Sequence, residues 1–418
     1  MSANPAVRGL RGSIFFLQNR DTPIFWNDGA IFWSRTGRIT AAGPWNLVRS
    51  AHATIPLDDR RGHLIIPGFV DCHVHLPQLD CRHKSGYTLL DWLDRYIFPA
   101  EARFADPTIA RDTAVRFFHE LLCNGTTTAL IFSTIHEKAT DIAFQEAEAC
   151  GIRAIIGKVL MDQHSPPTLT EKIGPGIAAS ERLIARWHGK HGRLFYAMTP
   201  RFALTCSEEA LTRAGQLAKD SGCYFQTHIA ETIAEVDRAR EIFHTSDYVG
   251  LFAQCGCLGP RSVFAHAIYL TNAEWQQIAA SKSAIAHCPS SNIFLQSGRM
   301  PIEAINQYQI TCGLGSDVGA GPEFSLWDVM QSGVTTHTPE MFSPLEAFYR
   351  ATIGGAAALG LENNIGKFAT GYAADMVVYK NMLQNFSPTT WLQDFLSNWK
   401  HYPVATTYVL GNIVYTVA

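Results

Sequence analysis

No uninterrupted apolar stretch in the sequence approaches the roughly 20 residues of a membrane helix, so no membrane span is expected. Near the start the only apolar run is Ile14 to Leu17, too short for a signal peptide, which needs about 7–15 such residues. No two of the ten cysteines are spaced CxxC, and the CGC at Cys255–Cys257 is too close for a zinc knuckle. Without a secretory signal these thiols read as reduced core residues, and a cytoplasmic location is expected. Charge of one sign is also lacking. Lys and Arg number 34 against 37 Asp and Glu, for a net charge of −3, with no long basic run. That removes the electrostatic footprint of a nucleic-acid or anionic-membrane partner.

What is present suits a large folded core: 418 residues, 47% hydrophobic and 17% charged. The first 65 or so residues read as short strands with turn signals at Asn27-Asp28-Gly29, Thr36-Gly37 and Gly43-Pro44. The last 50 or so, with "ADMVVYK" and "VATTYVLGNIVYTV", return to that style. Between them, eight apolar runs alternate with helical stretches, from "HLIIPGFVDCHVH" through "TTTALIFS", "RAIIGKVLM", "RLFYAMTP", "CYFQTHIAE", "SVFAHAIYL" and "SAIAHCPS" to "TCGLGSD". Continuous apolar strands alternating with helices imply a parallel sheet buried on both faces. Eight such units imply an α/β chain folded as a (β/α)₈ TIM-type barrel over residues 66–365. Residues 1–65 and 366–418 would then form one small composite β-sandwich.

In such a barrel the active site lies at the C-terminal ends of the strands. His73 and His75 close the first run, His228 the fifth and Asp317 the eighth, and His266 lies within the sixth. Alternate strand residues share a face, so His73 and His75 can reach one point. Imidazoles and a carboxylate suit zinc or iron. Singly, each has a plainer account: a lone His at 228 or 266 fits a hydrogen-bonded core residue, and Asp317 a helix N-cap. Together they are harder to dismiss, because titratable groups on buried strand ends are costly without partners. Glu231 follows His228 in "HIAE". It fits either a solvated helix face or a proton shuttle beside a metal ligand.

The motifs "PGFVDCHVHLPQ", "LLDWLDRYIFPAEARF", "NGTTTALIFSTIH", "GKVLMD", "TPRFALTCS", "QTHIAE", "HCPSSN" and "GLGSDVGAG" resemble the amidohydrolase superfamily and, within it, the guanine-acting deaminases. The resemblance implies a metal-dependent hydrolase converting guanine to xanthine and ammonia in purine catabolism, with His73, His75, His228 and Asp317 as ligands. A cation there lowers the pKa of a water from 15.7 to about 7. The resemblance further implies that His266 orients the attacking oxygen without being a full ligand. Asp317 would accept a proton, and Glu231 would protonate the ring and relay a proton to the leaving ammonia. Two-metal members carry a modified Lys on the fourth barrel strand; "RLFYAMTPRF" has none, and Lys158 lies on the third run. One metal is therefore expected, Zn²⁺ ahead of Fe²⁺, in a homodimer.

For the substrate, the fork of Arg201 matches the adjacent O6 and N7 acceptors of guanine. Gln78 is expected to read the ring-nitrogen edge. Phe202 would supply a packing face or, as the resemblance implies, a backbone contact, and Trp92 would line the pocket. Plainer accounts make Gln78 a loop amide, pair Arg201 with an acid such as Glu208, and place Phe202 in the core. Two other readings compete: a sister deaminase of an oxidised purine, a pterin or a triazine, and a non-catalytic scaffold. All five of His73, His75, His228, Asp317 and Glu231 are present, which opposes the scaffold.

Overall fold

A computed structural model describes residues 6–380 and 391–417. Residues 1–5, 381–390 and 418, which belong to the expected terminal unit, lie outside that description. Eight strands pair in parallel in chain order: Phe69–His75, Thr126–Phe132, Arg153–Gly157, Leu194–Pro200, Tyr224–Ile229, Ser262–His266, Ala284–His287 and Cys312–Leu314. They are continuously apolar because they are buried on both faces; every residue of Thr126–Phe132 is buried. One face carries Leu130, Ile155, Ala197, Val263, Ala265 and Ala286, which line the inside of the barrel. The other packs under the helices. The chain closes the ring just past the eighth strand: Asp317 N donates to His73 O at 2.8 Å, and His75 N donates to Val318 O at 3.1 Å.

The terminal strands form a second, seven-stranded sheet drawn from both ends of the chain. In spatial order it runs Asn412–Thr416, Val404–Val409, Met376–Tyr379, Leu57–Pro67, Ala6–Asn19, Thr22–Ser34 and Ile39–Pro44. Strict alternation gives it two apolar faces. Phe15, Leu17, Leu64 and Ile66 join the barrel's core, while Ile14, Phe16, Ile65 and Val378 pack with Trp33, Phe368 and Tyr408 in a separate one.

One local expectation fails. Strict alternation would turn Cys72 outward, away from His73 and His75. Two residues separate Asp71 from Val74, against one between their partners Ala129 and Ile131, so the first strand carries an extra residue. Cys72 therefore packs with the residues lining the barrel, its Sγ 3.6 Å from the Gly355 carbonyl. A bulge of this kind re-aims the side chains that follow it, here His73 and His75.

Candidate metal centre and pocket

The strand ends bring the imidazoles of His73, His75 and His228 together with the Asp317 carboxylate. His75 Nε2 lies 3.2 Å from His73 Nε2, 3.1 Å from His228 Nε2 and 3.2 Å from Asp317 Oδ1. His73 Nε2 is also 3.2 Å from Asp317 Oδ1. One ring nitrogen makes a single hydrogen bond, so these contacts cannot all be hydrogen bonds. They do match a shared cation: tetrahedral ligands about 2.0–2.1 Å from zinc lie roughly 3.3 Å apart. His228 Nδ1 donates to the Arg201 carbonyl at 2.6 Å, which fixes the tautomer and leaves Nε2 bare for a metal.

Electrostatics favour the same use. Burial pushes His75 down to about 3 and His228 well below its ordinary value, so both rings are neutral, as ligands must be. Burial pushes Asp317 upward, but His73, His75 and His266 outweigh it and hold the carboxyl well below the usual range. Three neutral rings and one carboxylate leave a buried negative charge that a cation offsets.

His266 stands beside this group. A ligand atom of His266 lies within 4.8 Å of those of His73, His228 and Asp317, yet its Nε2 is 3.8 Å from Asp317 Oδ2 and 3.6 Å from Glu231 Oε2. That nitrogen is buried with no hydrogen-bond partner among the described residues, while Nδ1 is held 2.9 Å from Asn292 Oδ1. An orphaned buried nitrogen facing two carboxylates is placed to bind a reacting group between them. Burial, then Asp317, raise Glu231 to about 8, so it carries a proton at neutral pH. Ser297 Oγ donates to Glu231 Oε1 at 2.9 Å, leaving Oε2 toward His266. His266 and Asp317 also have φ of +72° and +48°, a region that costs residues with a side chain and that recurs at functional sites.

The pocket over this group is lined by Gln78, Leu89, Trp92, Leu93, Arg201, Phe202 and Leu295, together with His75, His228, Glu231, His266 and Asp317. Leu89, Trp92 and Leu93 come from a helical insertion after the first strand, and Tyr96 on the same segment is only partly buried. Every residue proposed from the sequence for metal, catalysis or substrate is thus at one mouth. Lys158 is elsewhere, in a buried ion pair with Glu171.

Arg201 does not pair with Glu208. Its Nη1 donates to both oxygens of Glu101 at 2.6 Å, and Gln78 Nε2 donates to Glu101 Oε1 at 3.2 Å. Glu101, Asn292 and Ser297 also serve the site: Asn292 reads from the sequence as a supporting residue at the end of the seventh run, whereas Glu101 and Ser297 carry no site role there. Glu101 lies in "FPAE" and Asn292 in "HCPSSN", both among the motifs that carried the resemblance, but neither spacing nor periodicity marks them as partners of residues so distant in sequence.

Comparison with known proteins agrees with this geometry. The model of the amidohydrolase family matches residues 64–414. A guanine deaminase of Escherichia coli (strain K12) is 37% identical over 391 residues, covering 90% of this chain and 89% of that protein. The solved structure of E. coli guanine deaminase superposes with a TM-score of 0.94 at 34% identity, over 99% of this chain and all of that one. The guanine deaminase of C. acetobutylicum, solved with guanine bound in its active site, gives 0.91 at 28% identity, over 98% of this chain and 100% of that one.

Proposed function

The chain belongs to the amidohydrolase family, and from that premise we propose that it hydrolyses the exocyclic amine of guanine, giving xanthine and ammonia. One observation carries the reading: the residues suited to a purine edge, Arg201, Gln78 and Phe202, line the same cavity as His75, His228, Glu231, His266 and Asp317.

His73, His75, His228 and Asp317 would hold one Zn²⁺, with Fe²⁺ as the alternative ion. The absence of any Lys in the fourth strand supports a single metal. When bound, the cation supplies Lewis-acid activation of a water at neutral pH. The chain's own groups do the rest. Arg201 directs N–H donors at O6 and N7, and adenine would set an amine against them. Trp92, Leu89 and Leu93 exclude bulk water. Asp317 accepts a proton from the attacking water, and His266 Nε2 positions it. Glu231, protonated at neutral pH, delivers its proton to the ring nitrogen beside the reacting carbon; it then takes the second proton of the added water as the carbonyl forms and passes it to the departing amine, which leaves as ammonia, and the proton held by Asp317 restores it.

All these residues fall within 66–365, the proposed catalytic barrel, and none within the composite unit of 1–65 and 366–418. The proposal extends, on the resemblance alone, to a homodimer working in the cytoplasm, which sedimentation and fractionation test. No helix among the described residues is long and apolar enough to cross a membrane. The deciding experiment is a purine panel followed by ultraviolet absorbance. Guanine should disappear as xanthine appears, and a protein that leaves guanine untouched while loaded with zinc refutes the reading.

A further inference from the structure

Glu101 is 1% exposed, on the short helix Phe98–Ala102 of the insertion. It touches no metal ligand in any contact described above, yet both substrate-reading side chains end on it. Oε1 accepts from Arg201 Nη1 and Gln78 Nε2, and Oε2 accepts from Arg201 Nη1. Two consequences follow from the chemistry of a carboxylate. It only accepts, so the Gln78 amide is turned with its nitrogen toward Glu101, leaving Oε1 free. And both contacts to Arg201 use one nitrogen, so Nη2 and Nε have no hydrogen-bond partner among the described residues. They are the donors left for a ligand.

The larger consequence concerns charge. Arg201 is 2% exposed, and a guanidinium brings a positive charge into the pocket. A lone buried guanidinium demands an anion, and in a binding pocket the ligand would have to provide it. Here the protein already has. We propose that Glu101 is a specificity-determining residue that makes this end of the pocket electrically neutral, so that it selects an uncharged purine edge and rejects an ionised one. The inference rests on the guanine reading and adds a property to it. Arg201 keeps its geometry as a fork for O6 and N7 but loses its pull on anions. Exchanging an amine for a carbonyl makes the purine more acidic, so the same carboxylate weakens the hold on an ionised product and favours its release.

The test compares two competitive inhibitors of guanine turnover near neutral pH: hypoxanthine, uncharged with the same O6/N7 edge, and urate, a monoanion. Wild-type protein should favour hypoxanthine. Glu101→Gln keeps shape and an acceptor but frees the cation, and should shift the ratio of inhibition constants toward urate by about tenfold or more, since burying like or unmatched charges carries costs of that order. Arg201→Gln frees the anion instead and should move the ratio the opposite way; it also decides the matter if the Glu101 variant fails to fold. Glu101→Asp keeps the charge and should preserve the ratio while raising KM for guanine more than it lowers kcat. A merely structural Glu101 would give no opposite-sign response. Ratios that stay within about twofold of wild type in both Gln variants, or that move the same way, overturn the inference. Wild-type protein that does not consume guanine sinks the underlying reading instead, so the two failures are distinct.

Discussion

The two ends of the barrel bury charged groups to opposite effect. At the end where strands begin, Arg153 opens the third strand and its Nη2 donates to Asp375 Oδ2 at 3.0 Å, while Leu410 N donates to Oδ1 at 2.8 Å. Both oxygens of that carboxylate are thus satisfied by the protein, and the pair ties the barrel to the terminal sheet. At the end where strands finish, three imidazole nitrogens and a carboxylate oxygen crowd within 3.1–3.2 Å contacts that hydrogen bonding cannot satisfy, and His266 Nε2 has no hydrogen-bond partner among the described residues. At one end the carboxylate of Asp375 is met by protein donors, with only Arg153 Nε of the pair lacking a hydrogen-bond partner among the described residues; at the other, several ligand-capable atoms converge without protein partners to satisfy them. Neither burial nor a single unmet bond marks function, since Arg153 Nε and Thr406 Oγ1 are also buried without partners; the convergence of several such ligand atoms on one point does.

The contrast can be broken from either side. The largest effect is expected at the mouth: stripping divalent metal with a strong chelator, or His228→Ala, should abolish turnover, and zinc should restore the chelated protein but not the variant. Retained activity in a sample shown to be metal-free would undo the contrast. Next, Glu231→Gln should keep the metal and lose about 10²–10⁴-fold in kcat, the usual contribution of a positioned proton donor; metal content and single-turnover rates measure this. At the opposite end, Asp375→Ala strands a buried guanidinium and should cost about 3–5 kcal/mol of stability, read from the denaturation midpoint. Turnover per folded molecule should be unchanged there, and zinc should not compensate.

The smallest effect sharpens the comparison with a third buried group. His287 closes the seventh strand, and its Nε2 lies 3.1 Å from that of His337. Burial lowers His337 to about 4 from 6.5. Between those values the unfolded chain binds a proton that the folded chain refuses. This contribution to stability is therefore intact above about 6.5 and is lost as pH falls toward 4. Denaturation midpoints across that window should decline on the acid side, and His337→Gln should flatten the slope.

Much of the mouth could be read before any coordinates, because its signals are local. The His73–His75 spacing, the apolar runs that end at His228 and Asp317, and the missing Lys on the fourth strand all lie within single elements. What could not be read depends on two elements meeting. Glu101 and Arg201 are 100 positions apart, and neither periodicity nor spacing couples them. Cys72 faces inward because of a slip against the second strand, which strand alternation alone does not reveal. The terminal sheet was legible as a composite of both ends, but not its order, in which Leu57–Pro67 lies between an N-terminal and a C-terminal strand.

The clasp between the first and last barrel strands has a bearing on synthesis. Asp71 accepts from both the Ser316 amide and its hydroxyl, and Asp317 hangs from the His73 carbonyl. A nascent chain halted at residue 300 would present three imidazoles without the carboxylate that completes them, and a ring with no latch. Such a translation fragment lacks part of the proposed site, so turnover begins only after more than three-quarters of the chain has been made and the first and last strands have met.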